Sequence, residues 1–142
     1  MAVGNRRKMG RLAAGSGRLD MGMKFEDLDA WQEARRLTGD VYDLTKKNEL
    51  SRDFGLCSQI QRAAVSTMSN IAEGFERSGI QEKLHFYNIA HASNGEVRSL
   101  TYVIEDNFTN CSADASVLRE SAMRVGSLVA GLIRSTESRR SK

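Results

Sequence analysis

Glu82 and His85 are the first residues in this chain that could do chemistry, because they stand three positions apart in a helical pattern. Di-iron sites in four-helix bundles use this Glu-x-x-His spacing, but they need two such motifs and two further inward-facing carboxylates. This chain holds one such motif, and its other histidine, His91, lies about 240° further round the helix. The sequence therefore predicts no metal site and no cofactor.

The two cysteines, Cys57 and Cys111, do not add a catalytic centre. A cysteine nucleophile needs a nearby base, and the residues around Cys57 supply none, so we interpret it as a small core thiol. The two thiols form no CxxC pair, which is typical of a reducing compartment, and a disulfide between them is the less favoured alternative. No phosphate loop, nucleotide fingerprint or zinc spacing occurs in the sequence. We therefore expect a protein that is not an enzyme.

A polar series runs through the stretch QIQRAAVSTMSNIAEGFER in steps of three and four, and it flanks an apolar stripe. Three interpretations are open: a solvated face with pairs such as Glu73 and Arg77, a structural hydrogen-bond network or oligomer contact, and a ligand site. We treat the series as a candidate polar seam or oligomer contact. Its members are Gln59, Arg62, Ser66, Asn70, Glu73 and Arg77.

The net charge of +3 is concentrated at the two ends of the chain. Residues 1–22 have an excess of four bases and residues 137–142 an excess of two, so the remainder is acidic by three. Both ends are poor in large apolar residues, and we expect them to be disordered: residues 1–23 as a basic leader or tag, and residues 136–142 as a basic tail. Met21 and Met23 are both plausible start positions.

Six basic residues of the folded part are candidate nucleic-acid contacts. If they converge on one surface of an assembly, they favour binding to RNA or DNA. If each is paired with a neighbouring acid, they favour an oligomer without a nucleic-acid role. The six are Arg35, Arg36, Lys46, Lys47, Arg52 and Arg62.

Four helices must position these residues, because apolar residues recur in steps of three and four over 27–47, 52–77, 80–108 and 113–135. Asp27, Ser51 and a capping box of Ser78 with Gln81 are the predicted start signals of the first three helices. No proline interrupts the chain, and the predicted loops are short. The sequence therefore predicts an all-α fold, an up-down-up-down antiparallel four-helix bundle over residues 24–135.

Small residues cluster around Thr67 in the second helix and around Ser93 in the third. Both clusters stand at similar distances from the turn at Gly79, so they fall at the same height in an antiparallel pair. Small residues facing each other let two helix backbones approach closely. We therefore expect the second and third helices to be the closest pair.

The sequence offers no membrane anchor. No apolar run approaches the roughly 18 residues that a membrane span needs, and no apolar segment of a secretory signal follows the basic N-terminus. We therefore expect a cytoplasmic protein with no membrane contact.

Three stretches of the chain resemble a known family: FEDLDAWQEARRLTGDVYDLT, GLCSQIQRAAVSTMSNIAEGFERS and FYNIAHASNGEVRSLTYVIEDN. They are similar to the bacterial four-helix-bundle proteins encoded in intervening sequences of large-subunit ribosomal RNA genes. The resemblance covers about residues 24–134, and the run QIQRAAVS…NIAEG is its most specific part. The family usually has an aromatic-proline pair before the second helix, which NELSRDFGL lacks.

The resemblance implies a four-helix bundle that assembles as a ring of five. The related accessory proteins of diversity-generating retroelements form pentameric barrels that bind nucleic acid and a reverse transcriptase through basic surfaces. Most members of the intervening-sequence family have no established activity. We therefore expect a non-enzymatic homo-oligomer that binds RNA or DNA with low sequence specificity. The alternative is a structural or protein-binding oligomer with no nucleic-acid role.

Overall fold

The computed structural model describes residues 22–140, which form four α-helices and no strand within that range. The helices are α1 (Asp29–Leu44), α2 (Phe54–Glu76), α3 (Ile80–Asn107) and α4 (Ser112–Arg140). Short 3-10 helices precede or join them at Phe25–Asp27, Asn48–Arg52 and Thr109–Cys111. The predicted all-α fold is confirmed.

The helices form a square bundle in which each packs mainly against its two neighbours in the cyclic order α1, α2, α3, α4. Helix α3 contacts α2 and α4 to an equal extent, and both contacts are more extensive than those of α1. The second and third helices are therefore in close contact, as we expected, but α3 and α4 are packed as extensively.

Apolar side chains from all four helices meet in one core. Leu37, Ile60, Tyr87 and Val125 are each 2% exposed or less. Their burial follows from the 3.6-residue period, because residues three and four apart lie on one side of a helix. Within the part of the chain that the structure describes, no helix is long and apolar enough to cross a membrane.

The helix starts differ from the predicted ones. Asp27 lies in the first 3-10 helix, where its carboxylate accepts from the Lys24 N–H at 3.0 Å, and α1 begins only at Asp29. Asp53, not Ser51, caps α2 by accepting from the Leu56 N–H at 3.1 Å. Ser51 instead donates to the Asn48 carbonyl inside a 3-10 helix. Nearby polar residues compete for the same free amides, so spacing alone does not select the cap.

The third and fourth helices also depart from the predicted ends. Gly79 is the N-cap of α3 and no side chain caps it, so the predicted box of Ser78 and Gln81 is absent. Helix α4 continues to Arg140, and residues 136–140, which we expected in a disordered tail, are therefore helical. The reason is packing, since Thr136 is 1% exposed.

Most of the predicted leader, residues 1–21, and residues 141–142 of the tail lie outside the described residues. The last residue of the predicted leader, Met23, is described and packs against the core.

Candidate functional site

The middle of the polar series lies in the contact between α2 and α3. The hydroxyls of Ser66 and Ser93 are 2.8 Å apart, and the Asn70 amide donates to the Ser66 carbonyl at 2.8 Å and to its hydroxyl at 3.1 Å. The bond between Ser66 and Ser93 joins the two helices, and the Asn70 bonds, which lie within α2, satisfy further polar groups beside it. This part of the series is a hydrogen-bonded seam between two helices of one chain.

The two ends of the series extend the seam. Gln59 donates to Glu96 of α3 at 3.2 Å. At the other end Arg77 donates to Glu73 at 2.6 Å and lies 4.8 Å from the centre of the Phe86 ring. The predicted pairing of Glu73 with Arg77 is thus confirmed.

Close approach of α2 and α3 depends on Gly74. A Cβ atom at this position would lie 2.6 Å from a ring carbon of Tyr87 and 3.2 Å from the Lys83 carbonyl. Only a residue without a side chain fits there without displacement of the neighbours. The stretch NIAEGFER contains this glycine, but its spacing alone does not show what the glycine faces.

Lys83 is a buried residue of the seam that the sequence did not reveal. Its side chain is covered by α2, and its Nζ donates to the Phe75 carbonyl at 2.8 Å and lies 5.4 Å from the Phe75 ring centre. A cation at the last carbonyls of a helix is favoured by the helix dipole. Lys83 therefore ties the start of α3 to the end of α2.

A second edge of α2 is open to solvent. Tyr42, Phe54 and Val65 are 40%, 79% and 40% exposed. The Thr38 hydroxyl bonds to the Ala64 carbonyl and the Gln61 amide to the Thr45 hydroxyl, which shows where α1 meets α2. Tyr42 is one helical turn from Thr38, and Val65 one turn from Gln61, so both lie along this contact.

We call these three residues, with Arg62, the open face. Arg62 is exposed between Phe54 and Val65 along α2, and it forms no hydrogen bond or ion pair with any described residue. Arg35 lies two turns before Tyr42, and its guanidinium is 5.7 Å from the centre of the Trp31 ring. The open face therefore combines exposed apolar groups with Arg62, and neither Arg62 nor the nearby Arg35 has an acidic partner among residues 22–140.

An acidic groove lies on the neighbouring side of α1, against α4. It encloses a cavity of about 250 Å³. Lys47 and Asp114 form an ion pair at 3.0 Å across it, whereas Asp40 forms no ion pair with a described residue. Val117, which lines the groove, is 64% exposed. The lining residues are Asp40, Asp43, Leu44, Lys47, Asp114, Val117 and Leu118.

Two of the three carboxylates of this groove have ion pairs, Asp43 with Lys46 and Asp114 with Lys47, whereas Asp40 has none among the described residues. Burial, and then the repulsion of Asp43, raise the pKa of the Asp40 carboxyl above its ordinary value, although Arg36 opposes the shift. The groove is thus an anionic edge around an apolar floor.

The six candidate nucleic-acid contacts do not form one patch. Three have acidic partners: Arg36 with Glu33 at 3.2 Å, Lys46 with Asp43 at 4.0 Å, and Lys47 with Asp114 at 3.0 Å. The other three have no ion pair among the described residues; they are Arg35, Arg52 and Arg62. Within one chain, the six bases therefore neither converge on one surface nor all pair with acids, which were the two expected outcomes.

Glu82 and His85, whose spacing also occurs in di-iron sites, each contact another side chain. Glu82 lies 3.9 Å from Arg77, and His85 stacks edge-on against Phe86. No group of three metal-binding side chains occurs among the residues that the structure describes. Glu82 and His85 lie beside a cavity of about 620 Å³ at the end of the bundle, where Arg140 donates to Gln81.

The cysteines are buried free thiols, as the sequence predicted for Cys57. The Cys57 thiol donates to the Leu50 carbonyl at 3.1 Å. Burial raises the pKa of both the Cys57 and the Cys111 thiol, so both stay protonated at neutral pH. A protonated buried thiol is a poor nucleophile.

The fold and these contacts define a class of protein, an all-α four-helix bundle with a sealed seam between α2 and α3 and an exposed apolar face where α1 meets α2. The chain belongs to the 23S rRNA-intervening sequence protein family, whose model matches residues 26–131. The predicted family is thereby confirmed. No curated protein matches the chain.

Proposed function

We propose that this protein is a cytoplasmic, non-enzymatic homo-oligomer, a ring of five, that binds RNA or DNA with little sequence preference. The observation that carries the assembly is the open face, where Tyr42, Phe54 and Val65 expose apolar surface on one side of a small bundle. Single exposed apolar residues are ordinary, but a group of them marks a contact surface. The number five follows from the resemblance to the ring-forming family.

Nucleic-acid binding follows from how assembly sums local charge. The part of the chain between the basic ends is acidic by three, so a single copy repels phosphate on average. Arg35 and Arg36 nevertheless lie on the outer side of α1, away from the core, and Lys46 is exposed just after the end of that helix. A symmetric ring repeats this local patch in every copy, so the fields of the copies add where the patches approach one another.

The alternative is a structural or protein-binding oligomer with no nucleic-acid role. The acidic partners of Arg36, Lys46 and Lys47 favour it, because a paired cation has less field to offer a phosphate. Both functions require the assembly, so they separate only in a binding experiment.

Light scattering of the full chain tests the assembly. At micromolar concentration we expect a mass close to five times the chain mass of 15.8 kDa. A mass equal to one chain over the whole concentration range would overturn the proposal.

Fluorescence anisotropy with labelled single-stranded RNA and DNA tests the nucleic-acid role. Binding at about 50 mM salt should weaken steeply as salt rises, because each neutralised phosphate releases counterions. Replacing both Arg35 and Lys46 with Ala should weaken binding and flatten the salt slope. Replacing both Arg98 and Arg124 with Ala is the matched control, since it removes the same charge from exposed positions of α3 and α4.

A chain beginning at Met23 separates the bundle from the basic residues that precede it. It should bind as the full chain does if α1 carries the contacts. Binding by the full chain alone would assign the affinity to residues 1–22, and the proposed role of α1 would be wrong.

A further inference from the structure

Two neighbouring sides of the bundle have complementary chemistry. The acidic groove offers the carboxylates of Asp40 and Asp43 around the apolar side chains of Val117 and Leu118. The open face offers Arg62, which has no acidic partner among the described residues and stands between exposed apolar groups. An arginine has an apolar stem and a guanidinium that binds carboxylates, so it suits an apolar cavity with an acidic edge.

The two surfaces also lie at the same height along the bundle. The bonds from Thr38 to Ala64 and from Gln61 to Thr45 place residues 61–64 of α2 level with residues 38–45 of α1. Arg62 is therefore level with Asp40 and Asp43. In a ring whose axis runs along the bundle, rotation joins surfaces of equal height, so the level of Arg62 suits a contact between copies.

The angle between the two surfaces suits a closed ring. In a ring of five, the two contact faces of each copy meet at about 108°. Neighbouring sides of a square bundle meet at about 90°, the angle of a ring of four and within about 20° of the angle of a ring of five, whereas opposite sides would propagate an open filament. The open face and the acidic groove are neighbouring sides, because α1 belongs to both.

We infer that in the homo-oligomer the open face of one copy packs into the acidic groove of the next, with Arg62 between Asp40 and Asp43 and with the exposed apolar groups over Val117. This assignment rests on the proposed assembly and names its two contacting surfaces. The contact is head-to-tail, since each copy offers one surface to each neighbour.

One property of the single chain supports this contact, and one consequence of the contact agrees with the proposed function. Burial and then the repulsion of Asp43 raise the pKa of the Asp40 carboxyl, and a second guanidinium beside the two carboxylates would act against that shift as Arg36 does. The arrangement also turns the shared helix α1 towards the ring axis. Copies of Arg35 and Lys46 from five chains then surround one axis, which is the convergence that nucleic-acid binding needs.

The experiment compares Arg62→Glu with Arg98→Glu in the full chain. Both residues are exposed, and both variants change the net charge equally. Sedimentation velocity over a concentration series should show self-association weakened at least about tenfold for Arg62→Glu and unchanged for Arg98→Glu. Circular dichroism should show the same helix content in both, because neither side chain is in the core.

Charge exchange gives a second arm. Asp43→Arg alone should also weaken assembly, and combining it with Arg62→Glu should restore part of the loss, because the two charges again attract. If Arg62→Glu assembles as tightly as Arg98→Glu, the contact assigned here is wrong while the proposed oligomer stands. If the unaltered chain sediments as a single copy at every concentration, the proposed assembly itself fails and this contact fails with it.

Discussion

The two edges of α2 differ in how completely a neighbouring helix covers their side chains. On the α3 edge, Ser66 and Asn70 find hydrogen-bond partners and Gly74 admits a ring from the neighbouring helix. On the α1 edge, Phe54 and Val65 remain exposed. Helix α1 has 16 residues against 28 in α3, so it covers less of α2. The sealed seam should therefore determine the stability of one chain, and the open face its association with other chains.

The largest expected effect comes from breaking the seam at Gly74. Gly74→Ala places a methyl group 2.6 Å from the Tyr87 ring, with the Lys83 carbonyl behind it. We expect the free energy of unfolding to fall by about 1–3 kcal/mol, even though Ala is the better helix former. Chemical denaturation followed by circular dichroism measures this change.

Gly39→Ala is the matched control for that variant. Gly39 lies in α1, and an added Cβ would meet no atom within 4 Å. The same substitution should therefore raise the free energy of unfolding by about 0.5–1 kcal/mol. Equal effects of the two variants would contradict the claim that α2 and α3 approach closely at Gly74.

Removing the hydroxyl pair should have the next largest effect. Ser66→Ala and Ser93→Ala each break the 2.8 Å bond between the two hydroxyls, and each should lower the free energy of unfolding by about 0.5–1.5 kcal/mol. The double variant should lower the free energy of unfolding by less than the sum of the two single variants, because both single variants remove the same bond. Strict additivity in this double-mutant cycle would show that the two hydroxyls do not interact.

Phe54→Ser sharpens the comparison from the other side. Phe54 is 79% exposed, so its loss should change the free energy of unfolding by no more than about 0.5 kcal/mol. Self-association should nevertheless weaken, since the variant removes apolar surface from the open face. Unfolding and sedimentation measured on one sample separate the two properties. A seam variant such as Ser93→Ala should show the reverse pattern.

The smallest expected effect concerns Asp40. Burial is the main cause that raises the pKa of Asp40 in the folded protein, so folding favours the protonated carboxyl. The stability that this protonated carboxyl contributes is present at low pH and is lost as pH rises through the raised pKa. Asp40→Asn should therefore raise the free energy of unfolding at pH 7 by only about 0.3 kcal/mol, because solvent screens an exposed group. The gain should vanish at about pH 3, below the ordinary pKa of an aspartate.

The same variant should weaken self-association, because it removes one of the carboxylates expected to face Arg62. Opposite changes in the stability of the chain and in its association would set Asp40 apart from any residue of the seam. Asp106→Asn, an exposed acid of α3, is the control and should alter neither property. Unchanged association of Asp40→Asn would count against the acidic groove as a contact surface.

The sequence by itself determined the four helices and the alignment of the small residues around Thr67 and Ser93. Helical periodicity is a local property, and one short turn at Gly79 fixes how the second and third helices face each other. The same reasoning found the polar series and the pair of Glu73 with Arg77. It missed the cap at Asp53 and the continuation of α4 through Thr136, because competing caps and long-range packing decide helix ends.

Only the tertiary structure decided what lies opposite each side chain. Asp40 and Val117 share a cavity although more than 70 residues separate them, and no local pattern records such a meeting. The sequence pattern suggests that Lys83 is a surface lysine, but in the folded chain α2 covers it and supplies carbonyls to its ammonium group. Arg62 belongs to the polar series by spacing, yet it is exposed and takes no part in the hydrogen bonds that Gln59 and Ser66 form with α3. Helix periodicity sets which residues share a side, but the packing of distant helices decides which sides are covered.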